Sequence, residues 1–275
     1  MYGAHAKCYT YPMESIIEVK GLTKTYGNVL AVDHISFSVR KGEIFAFLGP
    51  NGAGKTTTIK MLTTLLRPHD GSIRLNGFNA LKEPDKVRRS IGIVFQDPSL
   101  DEELTAYENM EFHGVLYGVP KKVRRERIEE LLSMVGLWER RGDLVKRFSG
   151  GMKRRLEIAR GLLHHPQILF LDEPTLGLDP QTRVSIWSYV ERLNQEEGIT
   201  IFFTTHYLYE AERVADTIAI MDNGKIVAQG TPEELRAKTG MTSLEDIFIS
   251  LTGRRIREEE AGPMEGLRLR RKILR

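Results

Sequence analysis

Hydrophobic positions in this chain follow two periods, and the places where one gives way to the other mark its elements. Alternation through Ile17, Val19 and Leu22, then Ile35, Phe37 and Val39, then Ile73 and Leu75 predicts strands. Continuous apolar runs at 44–48, 91–95, 168–171 and 199–205 predict strands buried on both faces. Helical spacing predicts one helix over 57–66, with Ile59, Leu62 and Leu66 toward a core, and another over 105–117, which carries Met110, Val115 and Leu116. Further helices follow over 121–134, with Val123, Ile128, Leu131, Leu132 and Val135 as apolar positions, and over 152–164, with Leu156, Ala159 and Leu163 on one side. Residues 181–194 and 208–214 also read as helices. Asn76-Gly77 and Asn223-Gly224 mark tight hairpin turns. Thr231, Pro232 and Glu234 make a complete helix start. Leu244, Ile247, Phe248 and Leu251 give a short amphipathic helix within 243–253.

Strands alternating with helices predict an α/β fold with a mostly parallel central sheet covered on both faces, preceded by an antiparallel β lead-in. Between 97 and 165 strand signals are few, which predicts an α-helical subdomain inserted between two halves of the sheet domain. The expected organisation is a flexible N-terminal arm at 1–15, a main domain at 16–230, a small C-terminal helical extension at 231–261 and a basic, disordered tail at 262–275.

Composition narrows the setting. With 275 residues, 41% of them hydrophobic, the chain can bury a sizeable core. The single cysteine, Cys8, excludes an internal disulfide, gives no metal-ligand spacing and is compatible with a reducing, cytosolic setting. No apolar run approaches the ~18–20 residues needed to cross a bilayer, and residues 1–15 lack the apolar segment of a signal peptide. Work at a membrane is therefore expected to go through a partner. Five basic residues, Arg268, Arg270, Arg271, Lys272 and Arg275, exceed the whole formal net charge of +3. The rest of the chain is near neutral, which argues against a broad nucleic-acid-binding face.

The chemistry is concentrated in a few stretches. Gly49-Pro50-Asn51-Gly52-Ala53-Gly54-Lys55-Thr56-Thr57 fits the phosphate-loop pattern, with Gly49, Gly54, Lys55 and Thr56 at its fixed positions. A predicted strand precedes it and a predicted helix follows, the context this motif needs. Glycines let backbone N–H groups approach phosphate oxygens, and the helix N-terminus adds partial positive charge. In this motif the lysine reaches the β- and γ-phosphates and the threonine hydroxyl is a Mg²⁺ ligand, so a nucleoside triphosphate is the expected ligand. Four apolar residues at 168–171 then deliver Asp172 and Glu173 to a strand tip. Asp172 suits Mg²⁺, directly or through water, while Glu173 leaves in another direction and can face the γ-phosphate to orient and deprotonate a water. The bland alternative, a solvated acidic pair, rarely ends a buried strand. Gln96 and His206 each follow a predicted buried strand, and His206 taken alone reads as an ordinary strand-end histidine. Tyr26 is either a strand-end tyrosine or a ring that stacks on adenine.

Phe148-Ser149-Gly150-Gly151-Met152 resembles the signature loop of the ATP-binding cassette (ABC) family, usually written LSGGQ, and LDEPTLGLDP at 171–180 resembles its continuation. By the same resemblance Gln96 is the Q-loop glutamine, Asp179 belongs to the D-loop, His206 is the switch histidine and Tyr26 is the A-loop aromatic. The likeness spans about 16–229 and implies the P-loop NTPase fold of an ABC nucleotide-binding domain. It implies ATP and Mg²⁺ as ligands, with Thr56, Gln96 and Asp172 at the metal, and catalytic roles for Glu173, His206 and Gln96. It also implies a head-to-tail homodimer, in which Ser149, Gly150, Gly151 and Met152 of one chain meet ATP held by the other. A serine and two glycines at a helix N-terminus are suited to phosphate in their own right. Met152 stands where the family has glutamine. A thioether is only a weak acceptor, so a polar contact to the partner's nucleotide is expected to be missing.

SGGMKRRLEIARGLL at 149–163, GLDPQTR at 177–183 and SLEDIFISLTGR at 243–254 resemble ATPase subunits of drug-resistance exporters of the daunorubicin/doxorubicin type. That resemblance implies an ATP-hydrolysing motor, peripheral on the cytoplasmic face of the membrane. Closure of its dimer would move a separate integral-membrane permease that exports a drug, lipid or other substrate. The permease chooses the cargo, and residues after Gln96, especially 104–111, are expected to help form its docking groove. The alternative is a soluble ABC ATPase acting on nucleic acid or ribosomes. Against it stand the single cassette, the lack of sustained heptads and the near-neutral body. No nucleic-acid partner is expected.

Overall fold

The computed structural model describes residues 14–253. Most of the expected arm, Cys8, the basic tail and residues 254–261 of the expected extension lie outside the described residues.

The chain opens with two long strands, β1 (Ser15–Tyr26) and β2 (Val29–Arg40), then β3 (Ile44–Leu48) and α1 (Lys55–Leu62). β4 (Asp70–Leu75) and β5 (Phe78–Asn79) form the hairpin expected at Asn76-Gly77, followed by α2 (Pro84–Ser90) and β6 (Ile91–Val94). A helical stretch holds α3 (Ala106–Leu116), α4 (Lys121–Met134) and α5 (Gly150–Leu162), and leads to β7 (Ile168–Asp172) and α6 (Pro180–Glu197). The chain continues through β8 (Thr200–Thr205), α7 (Leu208–Val214), β9 (Thr217–Asp222), β10 (Lys225–Gly230), α8 (Pro232–Thr239) and α9 (Leu244–Thr252).

Two sheets result. An antiparallel one has the order β2-β1-β4-β5, and a six-stranded one has the order β10-β9-β3-β8-β7-β6. In the larger sheet every pair is parallel except the edge hairpin β9–β10. The continuous apolar runs are explained by burial on both faces. Alternate residues along β3, β7 and β8 (Phe45, Phe47, Ile168, Phe170, Phe202) enter one core with α1 and the antiparallel sheet. Their neighbours Ala46, Leu48, Leu169, Leu171, Ile201 and Phe203 enter a second core with helices α3 to α9. Phe202 lies at the centre of the first, its ring 5.3–6.0 Å from those of Phe37, Phe45, Phe47 and Phe170.

Some expectations need correction. α1 begins two residues earlier than periodicity predicted and ends at Leu62, so Leu66 packs on the core from the loop beyond. Of the apolar positions assigned to α3 and α4, Val115, Leu116 and Val123 are exposed, as is Phe112. Ala106, Met110, Ile128, Leu131, Leu132 and Val135 are buried in the core from this pair and its C-cap, with Tyr107 and Met134 packed partly buried against it. α2 was not legible because a seven-residue helix that buries only Val87 and Ser90 carries no periodic stripe. The predicted start of α8 is a complete capping box, with the Thr231 hydroxyl accepting from the Glu234 N–H and the Glu234 carboxylate accepting from the Thr231 N–H.

Candidate nucleotide site

The site lies where β3, β7 and β8 end together, at the C-terminal edge of the parallel sheet, the edge at which open α/β sheets bind ligands. Residues 49–54 leave β3 and turn into α1, whose N-cap Gly54 (φ 109°) supplies no side chain to the first N–H groups. Those donors remain available to an anion. A Cβ on Gly54 would sit 2.4 Å from the Ala31 carbonyl oxygen, and one on Gly49 would sit 2.4 Å from that of Met221. At both positions glycine is required by backbone packed behind the loop. The Asn223-Gly224 turn supports the loop from outside, with the Gly224 N–H donating to Ala53 O at 3.1 Å and the Asp33 N–H donating to Gly224 O at 2.8 Å.

Lys55 points back into this loop. Its buried ammonium donates to Gly49 O at 2.7 Å and Pro50 O at 3.3 Å and lies 3.8 Å from Glu173 Oε1. Burial pulls its pKa down against the opposing charges of Glu173 and Asp172. At the tip of β7, Asp172 accepts from the Thr204 hydroxyl at 2.6 Å. Burial raises the Asp172 carboxyl, aided by the Glu173 charge and opposed by the Thr204 and Thr56 hydroxyls. Glu173 adopts a left-handed backbone (φ 48°), and its N–H donates to both Thr204 O (3.1 Å) and Thr204 Oγ1 (3.0 Å). Its Oε2 lies 3.3 Å from His206 Nδ1. Burial pushes the Glu173 carboxyl up, but the His206 hydrogen bond and the Lys55 and His206 charges outweigh it and hold the group below its ordinary value. His206 Nε2 is buried with no hydrogen-bond partner.

The expected residues Gly49 to Thr57, Asp172, Glu173 and His206 are thus brought together, and Thr56 joins them through its hydroxyl beside Asp172. N–H donors and an ammonium lie beside two carboxylates and an imidazole, a set able to bind polyphosphate, hold a cation and accept a proton. The glycine cradle, the carboxylate–hydroxyl pair and the unpartnered imidazole nitrogen fit a bound Mg²⁺–nucleotide.

Other expected residues stand apart. Gln96 is exposed beyond β6 and makes no hydrogen bond to this cluster. Tyr26 is exposed at the end of β1, its ring 5.7 Å from Lys24 Nζ. Ser149 caps α5, its hydroxyl accepting from the Met152 N–H at 3.3 Å. Gly151 abuts Thr182, whose methyl would lie 2.6 Å from a Cβ there. Asp179 caps α6, accepting from Thr182 N at 3.0 Å and from Thr182 Oγ1 at 2.6 Å. Met152 packs partly buried against the helical core, an apolar role that pairing it with the family's glutamine did not suggest.

Sequence reasoning missed the supports. Thr204 is a hydroxyl inside an apolar strand run, and buried Glu210 accepts from Thr175 Oγ1 at 2.6 Å and Thr205 Oγ1 at 3.0 Å. Arg154 is buried among main-chain carbonyls next to Glu173. The available signal was a charged pair, Arg154 and Glu157, set one helical turn apart beside an apolar stripe.

A family model described as ABC transporter matches residues 32–176. The chain belongs to the ABC transporter family. Among similar proteins, the daunorubicin/doxorubicin resistance ATP-binding protein DrrA of Streptomyces peucetius is 46% identical over 228 residues, covering 83% of this chain and 69% of that protein. The linearmycin resistance ATP-binding protein LnrL of Bacillus subtilis (strain 168) is 44% identical over 236 residues, covering 86% and 75% respectively. The solved dimer of the ATP-binding cassette MJ0796, in a post-hydrolysis state bound to ADP and Pi, is 30% identical with a TM-score of 0.71 over 78% of this chain and 98% of that one. This chain is accordingly an ABC ATPase with the P-loop NTPase fold, and it hydrolyses ATP. Among the described residues no helix is long and apolar enough to cross a membrane.

Proposed function

We propose that this chain is the motor subunit of an ABC exporter, and that Glu173 is the general base of its ATP hydrolysis. The observation that carries the proposal is the Glu173 carboxylate held between Lys55 and His206 at the mouth of the phosphate loop. Backbone N–H groups of the loop and the Lys55 ammonium would hold the phosphates, with Tyr26 against the base. Thr56 and Asp172 would hold Mg²⁺, and Gln96 would turn in from beyond β6 to join them. Bound there, Mg²⁺ neutralises phosphate charge and polarises the γ-phosphoryl group. Lys55 engaged on phosphate would loosen its grip on Glu173, leaving that carboxylate to take a proton from the attacking water. His206 would turn its free nitrogen toward the γ-phosphate.

Ser149, Gly150, Gly151 and Met152 would act on ATP held by a second copy, with Asp179 near the junction. MJ0796, dimeric in its ADP- and Pi-bound form, supports that arrangement. The drug-resistance relatives support an exporter whose integral-membrane permease selects a drug, lipid or other cargo. The motor would then sit on the cytoplasmic face of the membrane, with residues 104–111 in the docking groove and 16–230 as its ATPase domain. Glu173→Gln removes the base while keeping the shape. Steady-state ATP turnover should fall ~10²–10⁴-fold with nucleotide binding retained. Unchanged turnover would remove Glu173 from the role.

A further inference from the structure

We infer that Arg154 is a positioning residue for ATP hydrolysis, fixing Glu173 through its backbone and tying it to the helix that begins at Ser149. The inference rests on the reading of Glu173 as the base. Arg154 lies in the second turn of α5 and is 7% exposed. Its Nε donates to Pro174 O at 2.7 Å, and its Nη2 donates to Glu173 O at 2.9 Å and Asp172 O at 3.3 Å. Its Nη1 donates to Phe95 O at 2.5 Å and to Glu157 Oε2 at 3.1 Å. One planar guanidinium thus joins the tip of β7, the residue before Gln96 and the signature helix. Its fixed fork of donors is what allows three successive carbonyls to be held at once.

Glu157 completes the clamp. Its other oxygen accepts from Ser99 N at 2.8 Å and Ser99 Oγ at 3.3 Å, which fastens the segment after Gln96 to the same helix. The left-handed backbone of Glu173 needs such over-determination, because a non-glycine residue does not hold it unaided. Thr204 grips the N–H side of Glu173 and Arg154 grips its carbonyl side. Between these grips the side chain has one direction to leave, toward Lys55 and His206. Ser149 and Arg154 are five residues apart on one rigid helix, about 7.5 Å along its axis. A tilt of α5 that seats or unseats Ser149 therefore moves the carbonyls of Asp172, Glu173 and Pro174 in the same chain. This would let engagement with a partner's nucleotide set the placement of the chain's own base.

The test compares Arg154→Met, Arg154→Lys, Glu173→Gln and the double variant Arg154→Met/Glu173→Gln in the full chain. Binding of a fluorescent ATP analogue, kcat and KM for ATP and melting temperature are measured. Arg154→Met should bind the analogue as wild type does and lose kcat roughly 10- to 100-fold, the scale of a misplaced catalytic group. Its KM for ATP should stay near the wild-type value, because Arg154 donates to carbonyls behind Glu173 and not to the phosphate loop. Lysine keeps the charge but not the fork, so Arg154→Lys should recover part of kcat; if the methionine variant does not fold, the lysine variant carries the test with a smaller loss of kcat at unchanged analogue binding. The double variant should fall no further than Glu173→Gln alone. A fall in analogue binding that accounts for the lost turnover, or losses that multiply in the double variant, would overturn the inference while leaving Glu173 as the base. Wild-type turnover in Glu173→Gln would instead overturn the reading beneath it.

Discussion

At the scale of single residues, the site depends on positions where backbone geometry leaves no choice. Gly54 combines a left-handed φ of 109° with a virtual Cβ 2.4 Å from Ala31 O and 2.7 Å from the Met221 terminal methyl. Gly54→Ala must move β2 or the β9–β10 hairpin away from the loop, and the loop with them. ATP affinity should fall at least tenfold, or about 1.4 kcal/mol, and the melting temperature should drop as well; titration with a fluorescent nucleotide and a thermal scan check both. The phosphate loop and the Asp172-Glu173 tip were legible because each is a contiguous run whose spacing follows from local geometry. Arg154, Thr204 and Glu210 were not. Glu157 lies one turn from Arg154 and Tyr209 beside Glu210, but their other partners lie 5–59 positions away in the chain, and only packing brings them together. The packing of Met152 against the helical core was likewise not legible, since it depends on where α5 docks.

At the scale of elements, α3 and α5 meet through a stack of rings at their C-terminal ends. Tyr117 lies 3.9 Å from His164 and 4.6 Å from His113 between ring centroids, and His164 Nε2 is 2.9 Å from Ile91 O. Burial, with the Arg160 charge and His164 nearby, drives the His113 pKa from 6.5 to about 3. Burial also takes His164 from 6.5 to about 4, opposed by the Ile91 carbonyl and aided by His165. In the unfolded chain both imidazoles take up protons near pH 6.5, whereas the folded chain resists until well below that. Their contribution is therefore fully present above pH 6.5 and is lost as pH falls toward those lower values. A melting-temperature series should decline between pH 6.5 and pH 4, and His164→Gln should flatten the decline. The strands were the most legible elements, since their two-sided burial is written as unbroken apolar runs. The exposed Val115, Leu116 and Val123 misled because an apolar side chain in a helical pattern carries no mark of which side faces water.

At the scale of the whole molecule, the phosphate loop and the segment proposed to meet a partner's nucleotide lie on different parts of one chain. Among the described residues no hydrogen bond joins Ser149 to the phosphate loop; its hydroxyl accepts from the Met152 N–H, and the neighbours of Gly150 and Gly151 are Leu178 and Thr182. On the proposed reading each chain is half of two sites. Glu173→Gln should be monomeric without nucleotide and dimeric with Mg²⁺–ATP by light scattering, and adding Ser149→Arg should keep it monomeric while nucleotide still binds. The larger sheet carries a further consequence. Among the described residues β3, which delivers the phosphate loop, pairs only with β8 and β9, and the bond from Ile44 N to Asp216 spans 172 residues. A growing chain therefore holds its complete phosphate-loop sequence long before it holds a strand for β3 to lie against. At ordinary elongation rates the delay is roughly ten to thirty seconds. During synthesis the most recognisable sequence in the protein has no framework, and the ability to hold fuel arrives only after the strand that ends just before His206 has left the ribosome.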